Sequence, residues 1–366
     1  MTIGVGIIGA STGGWAALSH VPALTALPDY EIRAISTSRR SSAEAAAQQF
    51  GVPAAFDNHV ELIAHPGVDL VVVSVKVPHH HALITAAVEA GKMVYSEWPL
   101  GVDSQEAADL AVRAEAAGVR TVIGLQGSCL PVVRHTRALI DDGYVGKVLG
   151  TTVVGSGVSW TAETDRAHAY LYDAAFGVTP LTASVLHALE GVHHALGDLT
   201  SVSAILVNSL TQARVADEDT TIPVTSPDQV SLAGTFRSGA AASVFYRGGF
   251  TRGDNFRWEI HGTEGDLVLS APGISGNLQA LDLRLQGGRG DAQVLTDLTV
   301  PDELYGPVPR DLSGLAQGVA QLYAQFARDL RDNTHTVPDF AYALKQHHLV
   351  DTIQRASDTG TTQLLA

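Results

Sequence analysis

A glycine-rich segment near the start of the chain has the spacing of a dinucleotide-binding turn. The run IGVGII is followed by GASTGGW, in which Gly9 and Gly14 occupy the outer glycine positions and Ser11 occupies the middle one. Such turns need glycine where the backbone bends tightly and approaches a pyrophosphate, with a helix N-terminus facing the anion. Other strand-to-helix turns need glycine too, so the segment alone is a weak signal. It predicts a cofactor-binding turn made of Gly9, Ser11, Thr12, Gly13, Gly14 and Trp15.

A second segment, ISTSRRSS, predicts which dinucleotide is bound. About twenty residues after the glycine turn, an NAD enzyme generally carries an acid that holds the ribose 2′-hydroxyl. Here no carboxylate is present, and arginine offers a charge-assisted fork to a 2′-phosphate. The segment therefore favours NADP(H) over NAD(H), with predicted contacts from Ser36, Thr37, Ser38, Arg39 and Arg40. The alternative is a solvated helix start with two ordinary surface arginines.

The first half of the chain predicts the parallel sheet that would position both segments. Short β-branched runs alternate with alanine-rich helical stretches as far as Gln126. Apolar runs without polar alternation suit strands that helices cover on both faces. We predict an α/β fold, with a doubly wound parallel sheet in an N-terminal Rossmann domain of residues 1–127.

The second half changes character. Helices are predicted at 131–142, 179–196, 313–332 and 339–358, and the strand-like runs between them suit an open antiparallel sheet. We predict a substrate-binding and oligomerisation domain of residues 128–366, an α/β domain whose large sheet is mainly antiparallel. This division allows the C-terminal helix to pack back on the Rossmann domain.

Composition excludes several classes of protein. The 366 residues carry a formal net charge of -15, which would repel a nucleic-acid backbone. No apolar run approaches the roughly twenty residues needed to cross a bilayer. The lone Cys129 cannot form an internal disulfide, and the chain opens without a basic, cleavable segment. We predict a globular cytoplasmic protein that binds neither nucleic acid nor membrane.

Several motifs in combination resemble the glucose-fructose oxidoreductase, inositol dehydrogenase and MocA family. They are the glycine turn, SVKVPHHHALITAAVEAGKMVYSEWPLG, IHGTEGDL and VPDFAYALKQHHLVDTI, and they span almost the whole chain. EWPL, LQGSCLP and YDAAFGVTPLTASVLH look closest to the branch of the fungal galactose-regulon repressor. The resemblance implies a nicotinamide ring between a Rossmann domain and an α/β domain, and homodimers or homotetramers formed through the sheet. It also implies further cofactor contacts from Val75, Lys76, Val77, His80, Glu97, Trp98 and Gln126.

The chain departs from the family at two positions that handle a proton. Family enzymes use the lysine of a Glu-Lys-Pro motif and an Asp-x-x-x-His pair, whereas this chain has Trp98 and Ala183 in place of the lysine and the aspartate. His187 remains, and Glu190 follows it by three residues. An indole cannot exchange a proton near neutral pH, so the usual sugar-alcohol chemistry is in doubt.

The resemblance makes His187 the first candidate for the acid, because imidazole titrates near working pH and can donate to a carbonyl oxygen. Tyr172, beside Asp173, is the second candidate. Lys76 is expected to end the fourth strand, where it could supply the charge missing at Trp98 or hold a cofactor group. The alternatives are a structural histidine, a packing tyrosine and a surface lysine.

Trp98 could stack on substrate, shield the nicotinamide or simply fill space, and a planar wall suits an apolar or aromatic substrate. The histidines at 79–81, 193–194 and 347–348 lack carboxylate or cysteine partners at ligand spacing, so we predict no metal. Two function classes remain: an NADP-dependent oxidoreductase acting on a carbonyl, imine or sugar carbon, and a non-catalytic NADP-binding regulator acting through a protein partner. Redox-assisted glycoside cleavage is a third possibility within the family.

Overall fold

A computed structural model of the chain describes residues 2–272 and 276–365. The chain divides into two compact units, Met1–Leu125 with Tyr305–His347 and Gln126–Leu304 with His348–Ala366. The first unit therefore combines residues 1–125 of the predicted Rossmann range with residues 305–347 from near the C-terminus, and residues 126 and 127 belong to the second unit.

The first unit contains a parallel sheet. Its strands are β1 (Ile3–Ile8), β2 (Tyr30–Ser36), β3 (Ala54–Phe56), β4 (Leu70–Val73), β5 (Met93–Glu97) and β6 (Thr121–Gly124). Within the described residues they form a six-stranded sheet in the order β3-β2-β1-β4-β5-β6. Strands β1 and β4 are buried along their whole length, as expected where helices cover both faces. The predicted doubly wound Rossmann sheet is confirmed, with its change of direction between β1 and β4.

The helices follow the predicted alternation with one break. In chain order they are α1 (Trp15–Leu18), α2 (His20–Thr25), α3 (Arg40–Phe50), α4 (His59–Ala64), α5 (His80–Glu89), α6 (Ser104–Ala117), α7 (Pro131–Asp141), α8 (Leu186–Leu196), α9 (Gly314–Asp332) and α10 (Phe340–Thr359). The first of the alanine-rich helical stretches, WAALSHVPALTAL, is interrupted at Ser19, which has non-helical dihedral angles of φ -122 and ψ -64. No helix in the described part of the chain is both long and apolar enough to span a membrane.

The second unit is built on a large mixed sheet. Its strands are β7 (Val148–Ser156), β8 (Glu163–Thr164), β9 (Leu199–Val207), β10 (Gln212–Val215), β11 (Thr220–Pro223), β12 (Gln229–Phe236), β13 (Ala241–Arg247), β14 (Phe256–Gly262), β15 (Gly265–Ala271), β16 (Arg284–Arg289), β17 (Thr296–Asp297) and β18 (Gln363–Leu364). Among the described residues, nine of them form a sheet in the order β17-β16-β15-β14-β7-β13-β12-β9-β18. Only the β7–β13 pair in this described sheet is parallel, so the predicted large, mainly antiparallel sheet is confirmed.

A small sheet of β11, β10 and β8 was not predicted, because strands of two to four residues leave little periodicity in the sequence. It lies beside a cluster of buried residues that consists of Trp160, Leu171, Tyr172, Ala213 and Val224. We call this set the Trp160 cluster.

One face of the large sheet carries exposed apolar side chains. Cross-strand partners link Ile205 to Ser231, Ser231 to Phe245 and Phe245 to Val154. Ile205, Phe245 and Val154 are 63%, 40% and 42% exposed, while their neighbours along each strand are more buried. The alternation is that of a sheet with one face in the core and the other open.

Candidate functional site

The glycine turn has a backbone that only glycine fits at its first position. Gly9 has a φ of 97, and a Cβ placed there would lie 2.1 Å from the carbonyl oxygen of Ser74. Its amide donates to the carbonyl of Ser36 at 2.9 Å, which joins the end of β1 to the end of β2. The two predicted cofactor segments are therefore adjacent in the first unit.

The rest of the turn presents backbone N–H groups. Ser11, Thr12 and Gly13 are exposed, and within the described residues no backbone acceptor pairs with their amides. A Cβ added to Gly13 would meet nothing within 4 Å. Successive exposed amides of this kind form a concavity that suits a phosphate anion. Because α1 has only four residues, the amides of the turn have to supply most of the positive potential.

The ISTSRRSS segment contains two arginines in different settings. The Arg40 guanidinium donates to Glu44 at 2.8 Å, one turn along α3. Arg39 is exposed, and no described carboxylate pairs with it. The Thr37 hydroxyl donates to the carbonyl of Arg39 at 2.9 Å, while Ser36 is buried and Ser38 is exposed. Arg39 is therefore the cation that is available to a 2′-phosphate.

Beyond β4, the chain forms a turn that supports the EWPL segment. Strand β4 ends at Val73, three residues earlier than expected, and the exposed Lys76 precedes a 3-10 turn at Val77–His79. His80 is fully buried, with Nε2 3.1 Å from the oxygen of Val75 and Nδ1 2.9 Å from that of Pro99. Burial lowers the pKa of His80, and the hydrogen bonds to Val75 and Pro99 oppose that effect. His80 thus joins the loop after β4 to the loop after β5. Both of its ring nitrogens face backbone oxygens, so neither is directed at a ligand.

Glu97 belongs to a buried polar network. One carboxylate oxygen lies 2.9 Å from Nε2 of His20, whose Nδ1 lies 2.8 Å from the hydroxyl of Tyr323 on α9. Tyr30 in turn donates its hydroxyl to the backbone oxygen of Tyr323 at 2.8 Å. Burial is the main cause that raises the pKa of Tyr323 well above its usual value. His20 of α2, itself held by Tyr323 of α9, therefore positions the Glu97 carboxylate. The sequence did not reveal these contacts.

Trp98 follows Glu97 and precedes a cis peptide bond to Pro99. Its side chain is 6% exposed, and its ring packs against His347 of α10. The bulk of the indole is thus accommodated inside the first unit. Position 98 is therefore occupied by an apolar, well-packed side chain.

In the second unit, His187 lies on a helix that begins irregularly. The predicted continuous helix from 179 starts as a π-helical turn at Leu181–Val185 and becomes α-helical at Leu186. π-Turns of this kind are frequent at functional sites.

The environment of His187 is apolar. The residue is 6% exposed, and its Nδ1 has no hydrogen-bond partner among the described residues. Burial lowers its pKa to about 3. In contrast to the sequence expectation, this imidazole does not titrate near neutral pH and is uncharged there.

Tyr172 and Asp173 are engaged in local structure. Tyr172 is 1% exposed, and its hydroxyl accepts the amide hydrogen of Thr161 at 3.0 Å. Asp173 accepts from the amide of Ala175 at 3.0 Å and caps a 3-10 turn. This geometry favours packing for Tyr172, which was the stated alternative. Ala183 packs against the same Trp160 cluster, so position 183 has apolar surroundings.

Sequence reasoning noted Glu190 but did not select it. Its carboxylate is 2% exposed and accepts the amide hydrogen of Ser128 at 2.6 Å, in the 3-10 turn Gly127–Cys129. Burial raises the pKa of Glu190 to about 7, against the opposing effects of the Ser128 and Gly127 hydrogen bonds and of Arg134. The spacing of three residues after His187 was the available signal. The predicted cofactor residue Gln126 is buried immediately before this turn.

No group of three or more metal-binding side chains occurs among residues 2–272 and 276–365. The candidate site residues fall into two sets, one in each unit. The first has a glycine turn with exposed backbone amides, an exposed arginine and a buried tryptophan. The second has a buried neutral histidine and a buried carboxyl group.

Comparisons with known proteins agree with the sequence resemblance. Residues 3–125 match the oxidoreductase family with an NAD-binding Rossmann fold, and residues 131–271 match the C-terminal domain of Gal80p. The chain is 29% identical to the dehydrogenase aclE of Aspergillus oryzae, over 93% of this chain and 92% of that protein. It is 23% identical to the galactose/lactose metabolism regulatory protein GAL80 of Saccharomyces cerevisiae, over 98% and 94% of the two chains.

The fold is also found in solved structures. A super-repressor mutant of Gal80p from Saccharomyces cerevisiae superposes with a TM-score of 0.87 at 22% identity, covering 100% of this chain and 98% of that one. At this identity the likeness concerns the fold alone. The relatives found by sequence include both a dehydrogenase and a regulatory protein.

Proposed function

Because this chain belongs to the glucose-fructose oxidoreductase, inositol dehydrogenase and MocA family, whose Rossmann fold binds NAD, we propose that it is an NADP-dependent oxidoreductase. It transfers hydride to or from a carbonyl, imine or sugar carbon of a small molecule. The observation that carries the proposal is the buried Nδ1 of His187, which lacks a partner among the described residues. Leaving a buried polar atom unpaired costs about 1 to 3 kcal/mol, and such an atom in a folded protein calls for a functional explanation.

The residues of the first unit fit a dinucleotide. The exposed amides of Ser11, Thr12 and Gly13 would hold the pyrophosphate, and Arg39 would hold the 2′-phosphate. The bound nicotinamide supplies or accepts the hydride. The remaining chemistry is the positioning of the substrate and the movement of one proton.

The neutral state of His187 defines what it does in this proposal. An uncharged imidazole presents one N–H and one acceptor nitrogen, so it orients a carbonyl or hydroxyl group without carrying charge in the ground state. A developing alkoxide beside it would raise its pKa and allow a proton to pass between them. This role of His187 differs from the lysine-assisted proton transfer that the family resemblance implies.

Apolar surroundings support an apolar or aromatic substrate. Trp98 replaces a charged side chain in the first unit, and Ala183 in the second unit packs against the Trp160 cluster in place of an aspartate. A sugar would leave hydroxyl groups unpaired against such surfaces, whereas an apolar ring would not.

The oligomer proposed from the sequence is a homodimer or homotetramer. Its support is the row of Ile205, Phe245 and Val154, which leaves apolar side chains exposed on the open face of the large sheet. Covering that face with a second copy would remove them from water.

The second candidate function is a non-catalytic, NADP-binding regulator that acts through a protein partner. It is favoured by the similarity to GAL80 over nearly the full chain and by the missing lysine and aspartate. Both functions predict dinucleotide binding, so binding alone does not separate them.

Turnover separates the two candidates. Purified protein would be incubated with NADPH or NADH and a panel of aryl and alkyl ketones, imines and keto sugars, and the absorbance of the reduced nicotinamide would be followed. Substrate-dependent consumption that falls in His187→Asn supports the oxidoreductase. Tight NADPH binding without turnover on any class supports the regulator.

A further inference from the structure

The buried carboxyl group of Glu190 holds a turn that directly follows the Rossmann sheet in the chain. Oε2 of Glu190 accepts the amide hydrogen of Ser128 at 2.6 Å. A Cβ added to Gly127 would lie 2.4 Å from the same oxygen and 3.0 Å from the amide nitrogen of Gly191. The turn is therefore packed closely against α8, and glycine at 127 is what allows the carboxylate to reach the backbone.

The bond from Ser128 to Glu190 is shorter than N–H groups usually make to neutral oxygens, and ionisation of the carboxyl group would strengthen it. Hydrogen bonds between N–H groups and neutral oxygens are most often 2.9 to 3.0 Å long, and those to ionised groups are shorter, about 2.7 to 2.9 Å. The arrangement of the Gly127–Cys129 turn is thus the one that the ionised carboxylate stabilises. Protonation would weaken the bond and loosen the turn.

The charges around Glu190 come from three elements. On α7, the guanidinium of Arg134 favours the ionised form, while on the turn itself the thiol of Cys129 is buried and its pKa is raised to about 11. On α8, His187 is neutral, and the pKa of His194 is lowered mainly by burial. Of these groups, only Arg134 joins the backbone amides of Gly127 and Ser128 in opposing the cost of burying the carboxylate. Because the pKa of Glu190 is about 7, both of its forms are populated near neutral pH.

We propose that Glu190 is a positioning residue whose charge state controls the Gln126–Cys129 turn and, through Gln126, the binding of the dinucleotide. Gln126 lies two residues after the end of β6, and ligands of doubly wound folds bind outside the carboxyl ends of their strands. The inference rests on the proposed function, since it concerns the same cofactor. Glu190 touches neither cofactor nor substrate in this role.

The size of the effect follows from the ionised fraction. If only the ionised form is competent, the apparent dissociation constant equals the intrinsic constant divided by that fraction. With a midpoint near pH 7, binding of NADPH is about tenfold tighter at pH 8 than at pH 6.

The first measurement is independent of binding. In protein labelled with ¹⁵N-serine, the Ser128 amide resonance is assigned by its absence in Ser128→Ala and followed from pH 5.5 to 8.5. We expect it to titrate with a midpoint near pH 7 in the wild type and in Glu115→Gln, which alters an exposed glutamate of α6, and to stay constant in Glu190→Gln. A Ser128 resonance without an inflection in the wild type would overturn the inference, whether or not the variant folds.

The second measurement is the dissociation constant of NADPH at pH 6 and pH 8. We expect about a tenfold difference in the wild type and in Glu115→Gln, and less than a twofold difference in Glu190→Gln, which still accepts a hydrogen bond but cannot ionise. The pH dependence that remains in Glu190→Gln measures the titration of NADPH itself, and the Glu115 variant controls for the loss of a carboxylate elsewhere. Equal binding at the two pH values in the wild type overturns this inference alone. If NADPH binds at neither pH, the proposed function fails and the inference fails with it.

Discussion

The imidazole of His347 lies against the indole of Trp98, with ring centroids 4.7 Å apart and ring planes tilted by 52°. This contact joins α10 to the loop after β5 inside the first unit. Position 98 is therefore a packing site as well as a candidate substrate wall, and substitutions there have to be judged on stability as well as on turnover.

Trp98→Phe should retain most of the activity, since a smaller aromatic ring preserves an apolar wall. Trp98→Lys should weaken the binding of an apolar substrate by roughly 1 to 3 kcal/mol and also lower the melting temperature, because a charged end is introduced at a buried position. Steady-state kinetics and thermal unfolding of both variants measure the two effects. If Trp98→Lys instead raises turnover on the native substrate, the tryptophan has no role as a wall and the regulator becomes the better candidate.

Arg39→Ala should weaken NADPH binding by about 1.5 to 3 kcal/mol and leave NADH binding nearly unchanged, because a charge-assisted bond to the 2′-phosphate is lost. Arg40→Ala is the matched control, since Arg40 is paired with Glu44 and should matter less. Titrations with both dinucleotides measure the difference. Equal affinity of the wild type for NADPH and NADH would exclude NADP specificity.

Gly13→Ala should leave the free protein folded and as stable as the wild type within about 1 kcal/mol, because the added methyl group meets no neighbouring atom. If a pyrophosphate approaches the backbone at this turn, the same methyl group should lower dinucleotide affinity at least tenfold. Gly9→Ala is the contrasting variant and should unfold readily, given its positive φ and the contact with Ser74. Unchanged cofactor affinity in a folded Gly13→Ala protein would place the phosphates elsewhere.

His187→Ala should lower turnover by roughly a hundredfold or more while dinucleotide affinity is retained, a loss typical of a group that assists proton transfer. His187→Asn should recover part of the loss if the wild-type residue acts mainly as a hydrogen-bond donor. Initial rates and NADPH titrations of both variants test this. Full activity in His187→Ala would leave proton transfer to water or to Tyr172.

His187 should also contribute to acid sensitivity. Its pKa is about 3 in the folded protein and near 6.5 when unfolded, so the unfolded chain takes up a proton first as the pH falls. The free energy of unfolding therefore decreases by about 1.4 kcal/mol per pH unit as the pH falls from 6.5 towards 3. In His187→Gln the free energy of unfolding should fall less per pH unit between pH 6.5 and pH 3, because glutamine does not titrate. Denaturant titrations at several pH values measure this slope. Identical slopes for the two proteins would show that the histidine is not buried in this way.

The fold could be predicted from the sequence because its signals are local and repeated. The central strands of the first unit are short apolar runs rich in β-branched residues, and LVVV of β4 is the clearest example. The short β8, β10 and β11 could not be found in this way, since two to four residues give no period. The break at Ser19 did have a signal that was not used: Pro22 suits the first turn of a helix and is disfavoured in a helix interior, so it points to a new helix starting at His20.

The candidate site was predictable only where a motif has its own geometry. The glycine turn was found because Gly9 and Gly14 stand at fixed positions around a strand end. The role of His20 beneath Glu97 could not be found, since 77 residues separate them in the chain. Likewise, the neutral state of His187 and the raised pKa of Glu190 depend on burial, which no short segment of sequence encodes.

The π-helical turn at Leu181–Val185 makes the direction of His187 depend on residue count. A residue advances an α-helix by about 100°, so removing one residue from this segment would rotate the imidazole by roughly that angle relative to the chain before it. The direction of this side chain therefore depends on the number of residues in the π-helical turn. A one-residue insertion or deletion at Leu181–Val185 can redirect it while every residue of α8 stays the same. An alignment that treats 179–196 as a regular helix would place a gap in the wrong column and mispair the histidine with its counterparts.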